Sequence, residues 1–442
     1  MTNSIAQKFN VFTLLKFAFP TMVMMVFMSL YTIVDGIFVS RFVGSNALSA
    51  VNIVYPVLNL LFACGIMLST GGSAIVARQI GEKREQEARE NFSLLAAVSV
   101  LIGIVILAFG LLFLEPLCRV LGATPVIMED CKIYLGVLLR FGPLTMLQMF
   151  FQVFFVTAGK PGLGLVLTIS GGVANMVLDY VLMGPMKMGV LGAALATGLG
   201  QAIMAVAGVG YFFFVKGSLH FVKPVFRGQI LLQSCGNGSS EMVSNLSTAV
   251  VTFLFNITML SLVGEDGVAA ITIVLYGQFL FTSLYLGFSM GVGPVFSFNY
   301  GNKNHEQLKR IYKICKWFIL LSSIVILGIA LVFSEPIVGI FTGEENHTYE
   351  LAVEGFFLFS FNYLFAGINI FASALFTALS NGKISAIISF CRTFVFIVAS
   401  IVLLPMIMGI TGVWLAVPLA ELITLFISSG HLKGQKKVYH YG

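Results

Sequence analysis

Long apolar runs, broken at charged and Gly/Pro-rich joints, recur from one end of the chain to the other. They fall near 14–40, 49–77, 93–114, 131–156, 163–184, 190–215, 236–262, 268–297, 317–341, 349–379, 384–408 and 410–429, twelve in all. A helix needs about 20 mainly apolar residues to cross the hydrocarbon core of a bilayer, so each run predicts one spanning helix. The first is too long for a secretory leader and lacks the small-residue cleavage site of one. Composition agrees, with 58% of the 442 residues hydrophobic and 10% charged, where soluble domains carry about a quarter charged. The fold expected is all-α and integral to the membrane. Disorder, collagen, coiled coil and a disulfide scaffold are excluded on the same ground.

The runs also repeat. Sliding the chain by 220 residues without a gap sets Val43-Gly44 on Val263-Gly264, Gly71 on Gly291, Gly81 on Gly301, and the IVIL of Ile104 to Leu107 on that of Ile324 to Leu327. The same shift sets Glu115-Pro116 on Glu335-Pro336, Thr157-Ala158 on Thr377-Ala378, Pro185 on Pro405 and Gly192 on Gly412. Six spans is an even number, so the two halves share one orientation and are related by a pseudo-two-fold axis along the membrane normal. The organisation expected is an N-terminal six-helix lobe over 1–215, a linker over 216–235, a C-terminal six-helix lobe over 236–429 and a tail over 430–442. With the N-terminus inside, nineteen of the 25 Lys and Arg residues fall in inner loops and four in outer loops. By the positive-inside rule both termini are cytoplasmic and the protein lies in the inner membrane of the cell. The net charge of +6 is thus an orientation signal, and no nucleic-acid partner is expected.

Two parallel bundles leave a cleft between them that rocking exposes to alternate sides, which is transporter architecture. Catalysis finds no support, since the chain has no His-x-x-x-His pair, no Gly-x-Ser-x-Gly elbow and no Walker A loop. No cofactor is expected either, and the driving energy must come from a gradient. Six cysteines follow no metal spacing; only Cys118 and Cys131 share a loop, as a bridge or as two free thiols.

Ionisable groups within spans are costly, so they mark candidate sites. Asp35 sits about five residues, near 7.5 Å, from the outer end of the first helix, and Asp179 lies at a similar depth in the fifth. Asn175 is one turn below Asp179 on the same face, and Thr197 is about eight residues into the sixth helix. Shifted by 220, these positions become Phe255, Val395, Ala399 and Val417, so the second half has no such cluster. Helix–helix hydrogen bonding is the bland reading, but it seldom calls for two carboxylates. Two carboxylates at one site cannot both ionise cheaply, which suits the pair to take up a proton; a Na⁺ held by the oxygens would serve the same electrostatic end.

Pro20 with Asp35 fifteen residues on, the Asn175-x-x-x-Asp179 helix, Thr197 eighteen residues further and the 6+6 duplication together resemble the multidrug and toxic compound extrusion (MATE) family, in its bacterial multidrug-efflux and DNA-damage-inducible-type branch. The resemblance covers almost the whole chain. It implies a secondary antiporter that exports amphipathic or cationic compounds against H⁺ or Na⁺. It also implies that Asp35, Asn175, Asp179 and Thr197 hold the coupling cation and that the first helix bends at Pro20. A flippase or exporter of a lipid-linked or metabolite substrate is the alternative within the superfamily, and a membrane-embedded enzyme or receptor is the alternative from another class.

The other intramembrane charges need their own account. Arg140 lies near the depth of both aspartates, where it would pair with one of them or face the cleft. Arg392 and Glu421 stand at equal depth on adjacent helices and, with Glu241, form a candidate inner ion-pair cluster. Forty-two Phe and nineteen Met mostly face lipid and neighbouring helices. Among residues that could line a substrate path, Tyr31, Gln148, Gln152 and Met290 stand out by position. The partners expected are small amphipathic or cationic molecules and the bilayer, with the chain acting as a monomer.

Overall fold

The computed structural model describes residues 3–342 and 347–442. After a short turn at Ser4–Ala6, the first half comprises α1 (Val11–Phe42), α2 (Ser45–Gly81), α3 (Glu85–Leu112), α4 (Leu114–Val120), α5 (Met128–Thr157), α6 (Pro161–Met183) and α7 (Gly189–Phe214). The second half comprises α8 (Gly228–Leu262), α9 (Glu265–Gly301), α10 (His305–Val332), α11 (Ser334–Gly339), α12 (His347–Ser360), α13 (Tyr363–Ala378), α14 (Gly382–Phe390), α15 (Phe396–Met408), α16 (Ile410–Gly434) and the terminal α17 (Lys436–Tyr439). Among the described residues, eleven spans are long and apolar enough to cross a membrane, and the pair α12 and α13, bent by 53°, makes twelve.

The repeat governs backbone geometry as well as sequence. Shifted by 220, the limits of α2 and α3 fall on those of α9 and α10. Positive φ angles recur in the same register, at Gly44 (114°) and Gly264 (87°), at Lys83 (62°) and Lys303 (54°), and at Gly189 (59°) and Gly409 (58°). Two departures from regularity are confined to the second half. The tenth span is broken between α12 and α13, and the eleventh carries a π turn at Cys391–Val395 between α14 and α15.

Helices overrun the apolar segments at the end where both termini lie. Here α2 and α9 continue to Gly81 and Gly301, whereas α3 and α10 start at Glu85 and His305, well before their apolar runs. In the first half these charged ends pair their charges on the surface, and in the second half Asn304 caps the start of α10 by accepting from the Gln307 N–H at 3.1 Å. Arg78 binds Glu82 at 2.8 Å, Arg84 reaches Glu87 at 2.8 Å and also Glu82, Arg89 binds Glu85 at 2.9 Å, and Arg227 of the inter-half connection binds Glu90 at 2.7 Å. Burial alone would push the Glu82 carboxyl up, but hydrogen bonds from Arg84 and Arg78 hold it below the usual carboxylate range. Helix α8 starts at Gly228, so the non-helical connection is shorter than the expected 216–235. The tail is likewise largely helical, through the end of α16 and α17. Cys118 and Cys131 are buried and free.

At this same face the two halves lock together. Helix α2 packs along α8, and α1 along α9. A Cβ on Gly238 would overlap the Met67 carbonyl, one on Gly71 the Ser234 carbonyl, one on Gly81 the Phe298 carbonyl and one on Gly301 the Arg78 carbonyl. Only a bare glycine allows backbones so close, as in small-residue membrane interfaces generally. The contact is reinforced by Asn237 Nδ2, which donates across the join to the Gly71 carbonyl at 3.4 Å, and by Arg78, whose guanidinium stands 5.2 Å from the Tyr300 ring centre. The N-terminal segment straps the join. Asn3 Nδ2 donates to the Thr157 carbonyl at 2.9 Å in the first half, and Gln307 Nε2 of α10 donates to the Phe9 carbonyl at 3.0 Å. Toward the opposite face the helices part, and a Cβ on Gly36 of α1 would meet nothing within 4 Å. The close glycine join between the halves lies at the face bearing the termini.

Replacing Gly238 by Leu should force this join apart. Overpacking against a backbone that cannot step aside costs about 1–3 kcal/mol, so the closed arrangement should weaken roughly 5- to 150-fold. Spin labels on the exposed loop positions Lys83 and Lys303, one in each half, should then show a population at longer distance. An unchanged distance distribution would show that the glycine contact does not hold the face shut.

Candidate functional site

Helices α6 and α7 cross at two glycines. A Cβ on Gly171 would stand 2.6 Å from the Gly200 carbonyl, and one on Gly200 would stand 2.8 Å from the Gly171 carbonyl and 2.9 Å from Asn175 Cβ. This approach carries Asn175 and Asp179 of α6 toward Thr197 of α7. Helix α1 packs on α6 and brings Asp35 to the same place. The carboxyls of Asp35 and Asp179 adjoin closely enough for one to hydrogen-bond the other when a proton lies between them. Asp179 is fully buried, Asn175 nearly so, and Asp35 and Thr197 are partly buried.

The defining property of the cluster is what it lacks. Asp35 Oδ1, both polar atoms of Asn175, both carboxyl oxygens of Asp179 and Thr197 Oγ1 are all buried without a protein hydrogen-bond partner. A buried polar group left unmatched costs about 1–3 kcal/mol, more if charged, so a concentration of them at one point is expensive. The donors presented are carboxylate, amide and hydroxyl oxygens, a set suited to a proton or to a hard cation. Beneath them lies a cavity of about 30 Å³ lined by Tyr31, Gln148, Gly172, Asn175, Thr197 and Gln201 among others. That is about the volume of one water molecule in the liquid.

The residues expected from sequence are divided by the fold. Asp35, Asn175, Asp179 and Thr197 come together, and Tyr31 and Gln148 line the cavity below them. Gln148 Oε1 is itself unpartnered, whereas Gln152 Nε2 is taken up by Met28 Sδ at 2.7 Å. Met290 lies elsewhere, packed against the core at the closed face. Pro20 sits within an unbroken α1, beside the points where Gly287 and Gly291 of α9 press on Ala18, Thr21 and Met22.

Of the two placements expected for Arg140, pairing with an aspartate is not seen. Its side chain is exposed and turns back along its own helix, with Nη1 donating to the Gly136 carbonyl at 2.9 Å. The face of α5 that carries Arg140 points away from the cluster, and a self-capped guanidinium avoids burial. Arg392 and Glu421 do pair, Nε to Oε1 at 2.7 Å, with Glu241 near enough to Arg392 to feel its charge.

Several neighbours were not singled out in the sequence. Tyr55 and Tyr134 bring their hydroxyls into the electrostatic surroundings of Asp35, and Tyr134 also approaches Asp179 and Thr197. Gln201 accepts from Thr145 Oγ1 at 2.6 Å at the edge of the cavity. Asn369 holds Glu421 by donating Nδ2 to Oε2 at 2.7 Å. Gly171, Gly172 and Gly200 were the available signal, since small residues in apolar helices mark close crossings. A larger cavity, about 760 Å³, is remote from the cluster; it is mostly apolar and lies between the outer ends of α8 and α9, with Asn256 the polar residue whose side-chain oxygen is unpartnered.

A sequence profile of the family described as MatE matches the chain twice, over residues 20–181 and 241–403. The multidrug export protein MepA of Staphylococcus saprophyticus is 21% identical over 427 residues, covering 94% of this chain and 92% of that protein. MepA of Staphylococcus haemolyticus is 23% identical over 433 residues, with coverage of 94% and 91%. Among solved structures, a MATE in complex with MaL6 has a TM-score of 0.91 at 22% identity and covers 99% of this chain and 100% of that one. An outward-facing multidrug resistance MATE transporter of the MOP superfamily has a TM-score of 0.89 at 23% identity, with 96% of each chain covered. At these identities the structural likeness establishes the fold.

The unmatched polar atoms also carry a stability consequence. Asn175→Leu removes two of them and leaves an apolar side chain in a nearly buried position, so it should stabilise the protein by about 1–3 kcal/mol. Denaturant or thermal unfolding of the purified protein in detergent reads the change. A loss of stability would mean that Asn175 is matched in the folded protein.

Proposed function

The chain belongs to the MatE family, and from that premise we propose that it is a secondary antiporter that exports amphipathic, often cationic, compounds in exchange for H⁺ or Na⁺. Its relatives are transporters and not enzymes. The observation that carries the reading is the cluster at Asp35, Asn175, Asp179 and Thr197, whose buried polar atoms have no protein partner and whose counterparts in the second half are apolar. Their cost is offset when a cation enters: a proton lets one carboxyl donate to the other, and Na⁺ draws on all of the oxygens. The description of relatives as multidrug export proteins supports the substrate class.

In this reading the halves over 1–215 and 236–429 are the two rocking lobes, joined through 216–235. The face bearing the termini is cytoplasmic, in keeping with nineteen of 25 basic residues in the loops on that side. The structure then corresponds to the state open to the outside, from which substrate leaves and the cation enters. Helix α1 links the two events. Asp35 stands at its outer part, whereas Pro20 stands where α1 presses on α9 at the closed join. Proline removes one helical hydrogen bond, to the carbonyl four residues before it, which makes this the place for α1 to bend when the charge at Asp35 changes. Tyr31 and Gln148, in the first half, line the route by which a substrate would approach the cluster.

Drug transport into everted membrane vesicles tests the reading. Asp35→Asn and Asp179→Asn should each reduce gradient-driven transport by roughly 5- to 150-fold, the range of a coupling free energy of about 1–3 kcal/mol. Transport driven by a pH gradient alone and by a Na⁺ gradient alone identifies the ion. Undiminished transport in both variants would remove the proposed coupling site.

A further inference from the structure

The two halves answer the same electrostatic problem differently, and the register between them shows how. Shifted by 220, Gly172 becomes Arg392 and Gln201 becomes Glu421. Both first-half residues line the cavity beneath the aspartates. In the second half, the same two positions hold an ion pair with Arg392 Nε on Glu421 Oε1 at 2.7 Å, side chains 15% and 1% exposed. Asn369 completes the carboxylate by donating Nδ2 to Oε2 at 2.7 Å and to the Glu421 carbonyl at 2.8 Å. Its position corresponds to Met149 in the first half.

The surroundings differ to match. A Cβ on Gly172 would press on the Phe27 ring 2.5 Å away, so the first half has no room for a side chain there. Phe27 corresponds to Ser247, and the smaller residue leaves space for a long one at 392. Arg392 is borne on the π turn Cys391–Val395, absent from the regular α6, and such turns re-aim side chains at functional positions. Above the pair, the counterparts of Asp35 and Thr197 are Phe255 and Val417, sealed in the apolar core at 0% and 1% exposure.

We propose that Arg392 is a built-in counter-cation: it fills, in the second half, the place where the first half keeps a cavity beneath its exchangeable cation, and so limits coupling to one half. A guanidinium holds its proton throughout the working pH range, so the charge of Glu421 is answered permanently and no solution cation is drawn to it. An ionisable group near the pair is Glu241 of α8, which feels the charge of Arg392. Arg392 thereby determines the number of cations exchanged per cycle. This inference rests on the first-half cluster being the coupling site.

The test is made in full-length protein in lipid nanodiscs, with ²²Na⁺ binding and the infrared carboxylic-acid band across a pH titration as two readouts of cation uptake. In the native chain, Arg392→Met should roughly double uptake, because the buried carboxylate left behind must now be neutralised from solution. In an Asp35→Asn/Asp179→Asn background, which removes uptake by the first half, Arg392→Met should restore it, and adding Glu421→Gln should remove it again. Arg392→Gln keeps a donor toward Glu421 and gives the same reading should the methionine variant not fold. Absence of new uptake in a folded Arg392 variant overturns the proposal, as does new uptake that survives Glu421→Gln or disappears instead with Glu241→Gln. Either failure leaves the transport effect of Asp35→Asn untouched, so the two readings are judged separately.

Discussion

Backbone-to-backbone contact between the halves at one face constrains everything else in this molecule. Gly71, Gly81, Gly238 and Gly301 permit α2 to lie against α8 and α9 at a separation that any side chain would forbid. In a bilayer there is no hydrophobic drive to bring apolar helices together, so close packing and interhelical hydrogen bonds must do it. Both are concentrated at the face that carries the termini, where Asn237, Arg78 and the Asn3 to Phe9 strap add to the glycine contacts. On the proposed reading, a join tight at this end leaves a cleft whose mouth is at the other. It also places the polar cluster of α1, α6 and α7 toward the open side.

The cluster makes sense only in that setting. Elsewhere in the spans polar side chains also pair, Ser73 with Thr157 at 2.7 Å and Ser373 with Ser385 and Ser389 at 2.9 and 2.8 Å, although isolated unmatched atoms occur, as at Ser289, Trp414 and Ser428. Against such economy, a site with two carboxyls, an amide and a hydroxyl left unmatched is a local excess of free energy that a cation relieves. The join at the closed face stabilises the architecture that holds these groups in place. Helix α1 connects the two regions, since it carries both Asp35 and the Pro20 segment against α9.

Duplication supplied two equivalent frames, and divergence loaded them unequally. The helix limits and turn angles of the halves still coincide, yet the first half has a cavity with carboxylates above it, and the second has an apolar core above an Arg–Glu pair. A buried carboxylate is tolerable with either a mobile or a covalently attached cation. On the proposed reading the molecule contains one arrangement of each kind.

Much of the plan is legible in the chain itself. Twelve apolar runs and one ungapped register of 220 residues determine the number of spans, the internal repeat and the parallel sense of the halves, because a bilayer demands apolar length and a repeat preserves its own spacing. Helical periodicity likewise places Asn175 beneath Asp179 and singles out Asp35 by its depth. What sequence could not supply is which faces meet. The choice for Arg140 between an aspartate and open surroundings is made by the packing of α5, which leaves it exposed and bonded to the Gly136 carbonyl; the crossing at Gly171 and Gly200 sets the cavity; and Met290 packs against the core at the join, away from the cavity that Tyr31 and Gln148 line. Polar helix starts such as Glu85 and His305 read as loop until the Glu85–Arg89 pair and the Asn304 cap are seen in place. Depth along a helix is a local property, counted in residues. Azimuth is set by packing against neighbours far away in the chain, and only the tertiary structure decides it.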